Sequence, residues 1–113
     1  MKILKKEAKK VQNSPDCTVW EYEFPSELMS FATCLIDGRY PDKGRVSNTE
    51  CEEIYFVLSG DGTVHSEEGD FDLAKGDMYA FKKGEKYWVE GNEFRLALFN
   101  APKWTPEQHE IIS

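Results

Sequence analysis

Glu53-Ile54-Tyr55-Phe56-Val57-Leu58-Ser59-Gly60 is the stretch that decides how this chain reads. β-branched and aromatic residues fill it and a glycine ends it, so it predicts a β-strand. Alternation puts Glu53, Tyr55 and Val57 on one face and Ile54, Phe56 and Leu58 on the other. Apart from Glu53 both faces are apolar, so both are expected to pack against something, as in a barrel or sandwich. A carboxylate on the inward face is partly desolvated. That raises its pKa and suits it to acid–base work.

Outward from this strand the chain is a run of short strands and turns. Cys17–Phe24 ends at Pro25 and reads as a strand, and Met29–Asp37 as another before Gly38. Tyr40–Asn48 reads as a loop, with Pro41, Asp42, Lys43 and Gly44 as its turn residues. Gly60-Asp61-Gly62 predicts a tight hairpin turn into Thr63–Ser66. Phe71–Leu73, Met78–Phe81, Tyr87–Val89 and, after Gly91-Asn92, Phe94–Phe99 follow as further strands. Residues 1–16 form a polar lead-in with a short strand near Ile3-Leu4 or a helical turn over Lys5–Val11. Thr105-Pro106-Glu107-Gln108 carries a capping threonine, a proline at the first helical position and a glutamine three residues after the cap. It predicts a short C-terminal helix over 106–112, docked by Trp104, Ile111 and Ile112. Many short strands with turn residues between them indicate one all-β domain over 1–113.

The composition narrows function further. The formal net charge is −7, which repels phosphate backbones and argues against nucleic-acid binding. The one basic cluster, Lys2, Lys5, Lys6, Lys9 and Lys10, reads as a solvated face. Apolar runs are too short to span a bilayer, so no membrane role is expected, and Met1–Val11 lacks the apolar stretch of a secretory signal. Cys17, Cys34 and Cys51 show no C-x-x-C spacing, and free thiols fit a cytoplasmic protein. Trp20, Tyr22, Trp88 and Trp104 read as core aromatics before they read as a sugar-stacking platform.

Together with Gly76-Asp77 and Gly84-Glu85-Lys86-Tyr87, the opening stretch resembles the two sequence signatures of the cupin superfamily, over roughly residues 28–107. Glu53 and Gly60 keep the interval of the first signature, with Gly38 as its leading glycine. Gly76 and Gly84 hold their places in the second. The histidine slots of the first signature fall on Val46 and Asn48, or on Ser47 and Thr49. In the second signature Lys82 replaces the proline, Tyr87 the histidine and Gly91 the asparagine. The resemblance implies a jelly-roll barrel, an antiparallel double-stranded β-helix, with Glu53 and Tyr87 lining its mouth. Edge strands of such barrels are often covered by dimerisation, which implies a homodimer.

Most cupins hold a divalent metal on two histidines and a glutamate from one signature and one histidine from the other. This chain keeps the glutamate alone. His65 and His109 fall outside the slots and read as surface or rim residues, and Cys51 reads as a packed thiol. The expected protein is a barrel without metal or cofactor that binds a small molecule, a sugar or a small carboxylate. Glu53, Tyr87, Asn48 and Tyr55 would be its contacts, and Arg45 an anion-holding group in the preceding loop. The alternatives are an isomerase or epimerase without metal using Glu53 as base, a cupin enzyme with metal on unusual ligands, and a barrel kept for assembly. No second base stands beside Glu53 in the sequence.

Overall fold

The computed structural model describes all 113 residues. A 3-10 turn over Lys5–Glu7 leads into nine strands: β1 (Lys9–Ser14), β2 (Cys17–Tyr22), β3 (Ser30–Tyr40), β4 (Arg45–Asn48), β5 (Glu52–Ser66), β6 (Gly69–Ala74), β7 (Met78–Phe81), β8 (Tyr87–Ala101) and β9 (His109–Ile112). Every pairing is antiparallel. β8 is the spine: β5 lies along one edge of it, and β3 then β4 along the other. β2 and β1 continue beyond β3, β9 beyond β4, and β7 and β6 share the far edge of β5. The sheet curls around a core in which Ile36, Val46, Val57, Val64, Val89, Phe94 and Leu96 are fully enclosed.

The predicted hairpin turn at Gly60-Asp61-Gly62 is absent. β5 runs straight through it, and β8 likewise runs through Gly91-Asn92. The two interruptions face each other in one ladder, Asp61 opposite Asn92 and Gly62 opposite Gly91, next to register shifts at Ser59. Glycine inside a strand marks a bulge or a close backbone approach as readily as a turn. Both occur here. Gly60 has φ +73, and a Cβ on it would lie 2.0 Å from the Glu93 carbonyl oxygen. A Cβ on Gly62 would lie 2.5 Å from the Phe94 ring. Two long strands bend together at this point, which lets a single pair of strands wrap a barrel.

The C-terminus also departs from expectation. Only Pro106–Gln108 forms a 3-10 turn, and His109–Ile112 is a strand. Thr105 makes no cap to a backbone N–H; its hydroxyl accepts from the Gln108 side chain instead. The open edge of β4 takes the segment as a four-residue ladder, from Arg45 opposite Ile112 to Asn48 opposite His109. A two-turn helix is marginal alone, so a sheet edge outcompetes it. The expected Tyr40–Asn48 loop is shorter for the same reason, since its last four residues are β4. In the lead-in, the strand lies at Lys9–Ser14 and not near Ile3-Leu4. No helix is long and apolar enough to cross a membrane.

Candidate active site

The inward alternation of β5 buries Glu53, Tyr55 and Val57. Glu53 stands opposite Phe81 of β7 and Asn100 of β8. Tyr87, at the start of β8, turns inward beside it and donates its hydroxyl proton to Glu53 Oε1 at 3.4 Å. Tyr55, Phe81 and Tyr87 pack as a ring cluster, with centroid separations of 4.8 Å for Tyr55–Phe81 and 4.1 Å for Phe81–Tyr87. These side chains line a cavity of about 740 Å³ together with Cys17, Tyr40, Trp104 and His109. That volume suits a molecule of nucleoside or disaccharide size.

Asn48, the last residue of β4, does not line the cavity. It lies behind the wall and joins two of the groups that do. Its Nδ2 donates to Glu53 Oε1 at 2.8 Å. Its Oδ1 accepts from Trp104 Nε1 at 3.0 Å and meets His109 Nδ1 at 2.7 Å. The indole N–H can only donate, so Oδ1 is the atom that faces Trp104. An amide oxygen has no proton to give, so His109 Nδ1 carries one. Neutral His109 therefore keeps its lone pair on Nε2, and the Tyr40 hydroxyl donates to it at 2.6 Å. One indole thus sets the tautomer of a histidine it does not bond. The result is a continuous line of hydrogen bonds, Tyr40–His109–Asn48–Glu53–Tyr87.

Burial shifts the two titratable groups of the relay in opposite directions. Desolvation pushes the Glu53 carboxyl up to about 7, against the opposing pull of the Asn48, Asn100 and Tyr87 donors. Desolvation pushes His109 down from its ordinary value. Tyr87 and Tyr55 are raised, by burial first and by neighbouring ionisable groups second, Glu53 among them. At neutral pH His109 is therefore a neutral base, and Glu53 holds a proton a substantial part of the time. The hydrogen bonds from Asn48 and Tyr87 both fall on Oε1, so Oε2 is the oxygen better placed to carry that proton.

Glu53, Tyr55 and Tyr87 come together as expected from the sequence. Arg45 does not join them: it is exposed at the start of β4, opposite Ile112, and is not part of the cavity wall. Cys51 is buried and accepts from Asn100 Nδ2, away from the cavity. Two further wall residues differ from the sequence reading: Tyr40 was expected at the start of a loop and His109 at the surface or rim. His109 was misplaced because Thr105-Pro106-Glu107-Gln108 looks like a helix start. No local signal marks it, since its partners Asn48 and Tyr40 are 61 and 69 residues away.

The divalent metal of most cupins finds no matching donor set here. No three His, Cys, Asp or Glu side chains converge. Asn48 Oδ1 already accepts from two donors, and its Nδ2, which cannot ligate, points at Glu53. Of the residues in the histidine slots, Asn48 and Tyr87 both hydrogen-bond Glu53 and belong to the relay.

No family model and no curated protein matches the chain. Solved structures do. Streptomyces PAC13 with uridine superposes at TM-score 0.88 with 13% identity, over 99% of this chain and 90% of that one. Pac13 is described as a unique nucleoside dehydratase. Its uridine structures include variants in which a histidine or a tyrosine is replaced. Ectoine synthase from P. lautus matches at TM-score 0.80 and 14% identity, over 100% and 90% of the two chains. KdgF from Halomonas sp. matches at 0.72 and 13%, over 89% and 94%. With its curled antiparallel sheet and these neighbours, the chain has the fold of the small single-domain cupins.

Proposed function

We propose that this barrel is an acid–base enzyme of the lyase or isomerase type, working without a metal on a small uncharged hydroxylated molecule of sugar or nucleoside size. One observation carries the reading. Two titratable groups, His109 and Glu53, stand on one cavity wall and are joined through a single amide of the right polarity. Asn48 Oδ1 faces the histidine and Nδ2 faces the carboxyl. As a proton arrives at Tyr40, Tyr40 passes its own to His109 Nε2, and the imidazolium that forms already has Asn48 Oδ1 as acceptor at Nδ1. As Glu53 gives its proton, the carboxylate that forms already has the Asn48 and Tyr87 donors in place. The same side chain thus stabilises the positive and the negative charge that proton transfer creates, which is electrostatic preorganisation. Removing a proton from carbon on the Tyr40 side and protonating a hydroxyl on the Glu53 side expels water. Returning the proton to a different carbon isomerises the molecule instead.

Two further points support the ligand class. The cavity rim carries Glu21, Glu23 and Glu107 against Lys9 and Lys103, on a chain of net charge −7. That field disfavours phosphate esters and weakens the case for a small carboxylate. The superposition with a uridine-bound barrel points the same way. The three free, buried thiols suit a reducing compartment.

The test has two stages. Uridine and a panel of neutral sugars are titrated by saturation-transfer NMR, and those that bind are incubated with the protein in D2O. Deuterium incorporation or loss of water, abolished in Glu53→Gln and in His109→Phe, supports the proposal. A ligand that binds but undergoes neither change reduces the barrel to a binding module. Failure of the whole panel to bind removes the ligand class.

A further inference from the structure

Glu53 has polar neighbours on the cavity wall that the relay does not use. Ser30 of β3, Asn100 of β8 and Glu53 of β5 form one row across the inner face, and all three line the cavity. The next inward row, Ala32, Leu98 and Tyr55, offers a single hydroxyl. Ser30 Oγ is taken by the Trp104 N–H at 3.1 Å. Asn100 is 7% exposed, and its amide is only half used. Nδ2 donates to Cys51 Sγ at 3.4 Å and lies close enough to Glu53 to work against the rise of that carboxyl. A carboxylate attracts the N–H end of an amide and repels the carbonyl end, so Glu53 fixes which way Asn100 points. Oδ1 is then left without a protein donor. The unpartnered polar atoms that are sealed from every opening are Ser14 Oγ and Gln108 Oε1. Asn100 Oδ1 is unpartnered yet open, and the opening it meets is the cavity. A nearly buried amide oxygen is costly to leave unpaired, so it marks where a ligand donor belongs.

We propose that Asn100 and Glu53 form a diol-binding pair, in which Asn100 Oδ1 accepts from the hydroxyl on the carbon next to the one whose hydroxyl Glu53 protonates. The inference rests on the acid–base reading of the cavity and narrows its substrate class to vicinal diols. Register sets the spacing. Asn100 and Glu53 stand directly opposite in the β5–β8 ladder, where the Cβ atoms of a same-face pair are about 5 Å apart. Polar ends that close together serve hydroxyls on adjacent carbons. Polarity sets the roles. An amide oxygen can only accept, so Asn100 Oδ1 takes an O–H and offers nothing to a carbonyl or an ether. Protonated Glu53 donates to the departing hydroxyl. The pair therefore presents one acceptor and one donor, which a diol meets with one hydroxyl donating and the other accepting. A ligand that lacks the second hydroxyl leaves Oδ1 buried and unpaired. That penalty is what makes a hydroxyl-reading site selective. Asn100 is thus a specificity-determining residue, and Cys51 and Glu53 hold its amide in the orientation that reads the hydroxyl.

Each member of the sugar and nucleoside panel that binds is compared with its monodeoxy analogues by NMR titration; for uridine these are the two ribose monodeoxy forms. Wild type is expected to bind the diol about 10- to 100-fold more tightly than the analogue lacking the hydroxyl that Asn100 holds. Asn100→Leu, close to asparagine in size, is expected to bind the two within a factor of two, at the level of the analogue. A purely structural role for Asn100 would weaken both ligands alike and leave their ratio unchanged. Circular dichroism checks the fold, and Asn100→Ala is read in place of the leucine variant if that one does not fold. A folded variant that keeps the full preference for the diol overturns the inference and leaves the acid–base reading standing. So does a wild-type protein that binds a diol and its deoxy analogues equally. A panel that does not bind at all removes the acid–base reading's ligand class, and this inference falls with it.

Discussion

The two histidines of this chain sit in opposite surroundings. His65, on β5, has Asp70 on Nδ1 and Glu90 on Nε2, both at 2.8 Å. Its ring stacks on Trp88 at 3.9 Å, and the Arg39 guanidinium lies 4.3 Å from the centroid of the same indole. Partial burial draws its pKa down, but the Glu90 and Asp70 carboxylates outweigh that and hold it above the ordinary value. His109 has an amide oxygen on one nitrogen and a phenol on the other, with no carboxylate to favour its charge. Burial alone decides, and lowers it. The lesson is that a histidine becomes a base where its partners are neutral and fixed, and a structural cation where they are charged.

The comparison breaks most sharply in turnover. His109→Phe is expected to lower the rate of the reaction found in D2O by about 10² to 10⁴-fold, the range for losing a general base. His65→Ala is expected to leave that rate within a factor of two. Equal losses in both variants would mean that the relay is not the seat of the chemistry.

Stability against pH tests the acid at the other end of the relay. The folded pKa of Glu53, about 7, lies above the unfolded value near 4.5. Between those two values the native state binds more protons than the unfolded chain, so stability falls as pH rises. The penalty is absent below about 4.5 and complete above about 7. Glu53→Gln removes it. Denaturant melts are expected to show the variant gaining on wild type by on the order of 2–3 kcal/mol from pH 4 to pH 8. A constant difference across that range would show that the carboxyl is not desolvated.

A smaller effect sharpens the contrast directly. Two-dimensional NMR of the imidazole nitrogens is expected to show His65 titrating above 6.5 and His109 below it. At neutral pH His109 should be neutral with its proton on Nδ1. A His109 signal with the proton on Nε2 would mean that Asn48 is reversed and Trp104 does not orient it.

The least effect is expected from the His65 ion pairs on stability. Their carboxylates are well exposed, so solvent screens them, and His65→Ala is expected to cost about 1 kcal/mol or less. Because the folded pKa is raised, that contribution is complete below about 6.5 and fades as pH rises through the folded value. Thermal melts of the two proteins at pH 6 and pH 9 should converge at the higher pH.

Strand alternation along Glu53–Ser59, the turn chemistry and the spacing of Gly60, Gly76 and Gly84 were enough to read an all-β barrel of cupin type from the residues in order. Alternation grouped Glu53 with Tyr55 on one face of their strand, because alternation is a local property, and the resemblance to the cupin signatures placed Glu53 and Tyr87 at the barrel mouth. Gly60-Asp61-Gly62 and Gly91-Asn92 misled for a physical reason: a glycine that permits a turn also permits two backbones to cross closely, and only the pairing partner separates the two cases. The C-terminal segment shows the same limit. Its sequence favours a helix start, but an open edge on β4 makes it a strand and sets His109 beside Asn48. The acid was visible in the sequence because a carboxylate stands out at the head of an otherwise apolar strand. Its base was decided by tertiary structure alone, since a tautomer fixed through Trp104, Asn48 and Tyr40 depends on atoms that only the closed barrel brings within hydrogen-bonding distance.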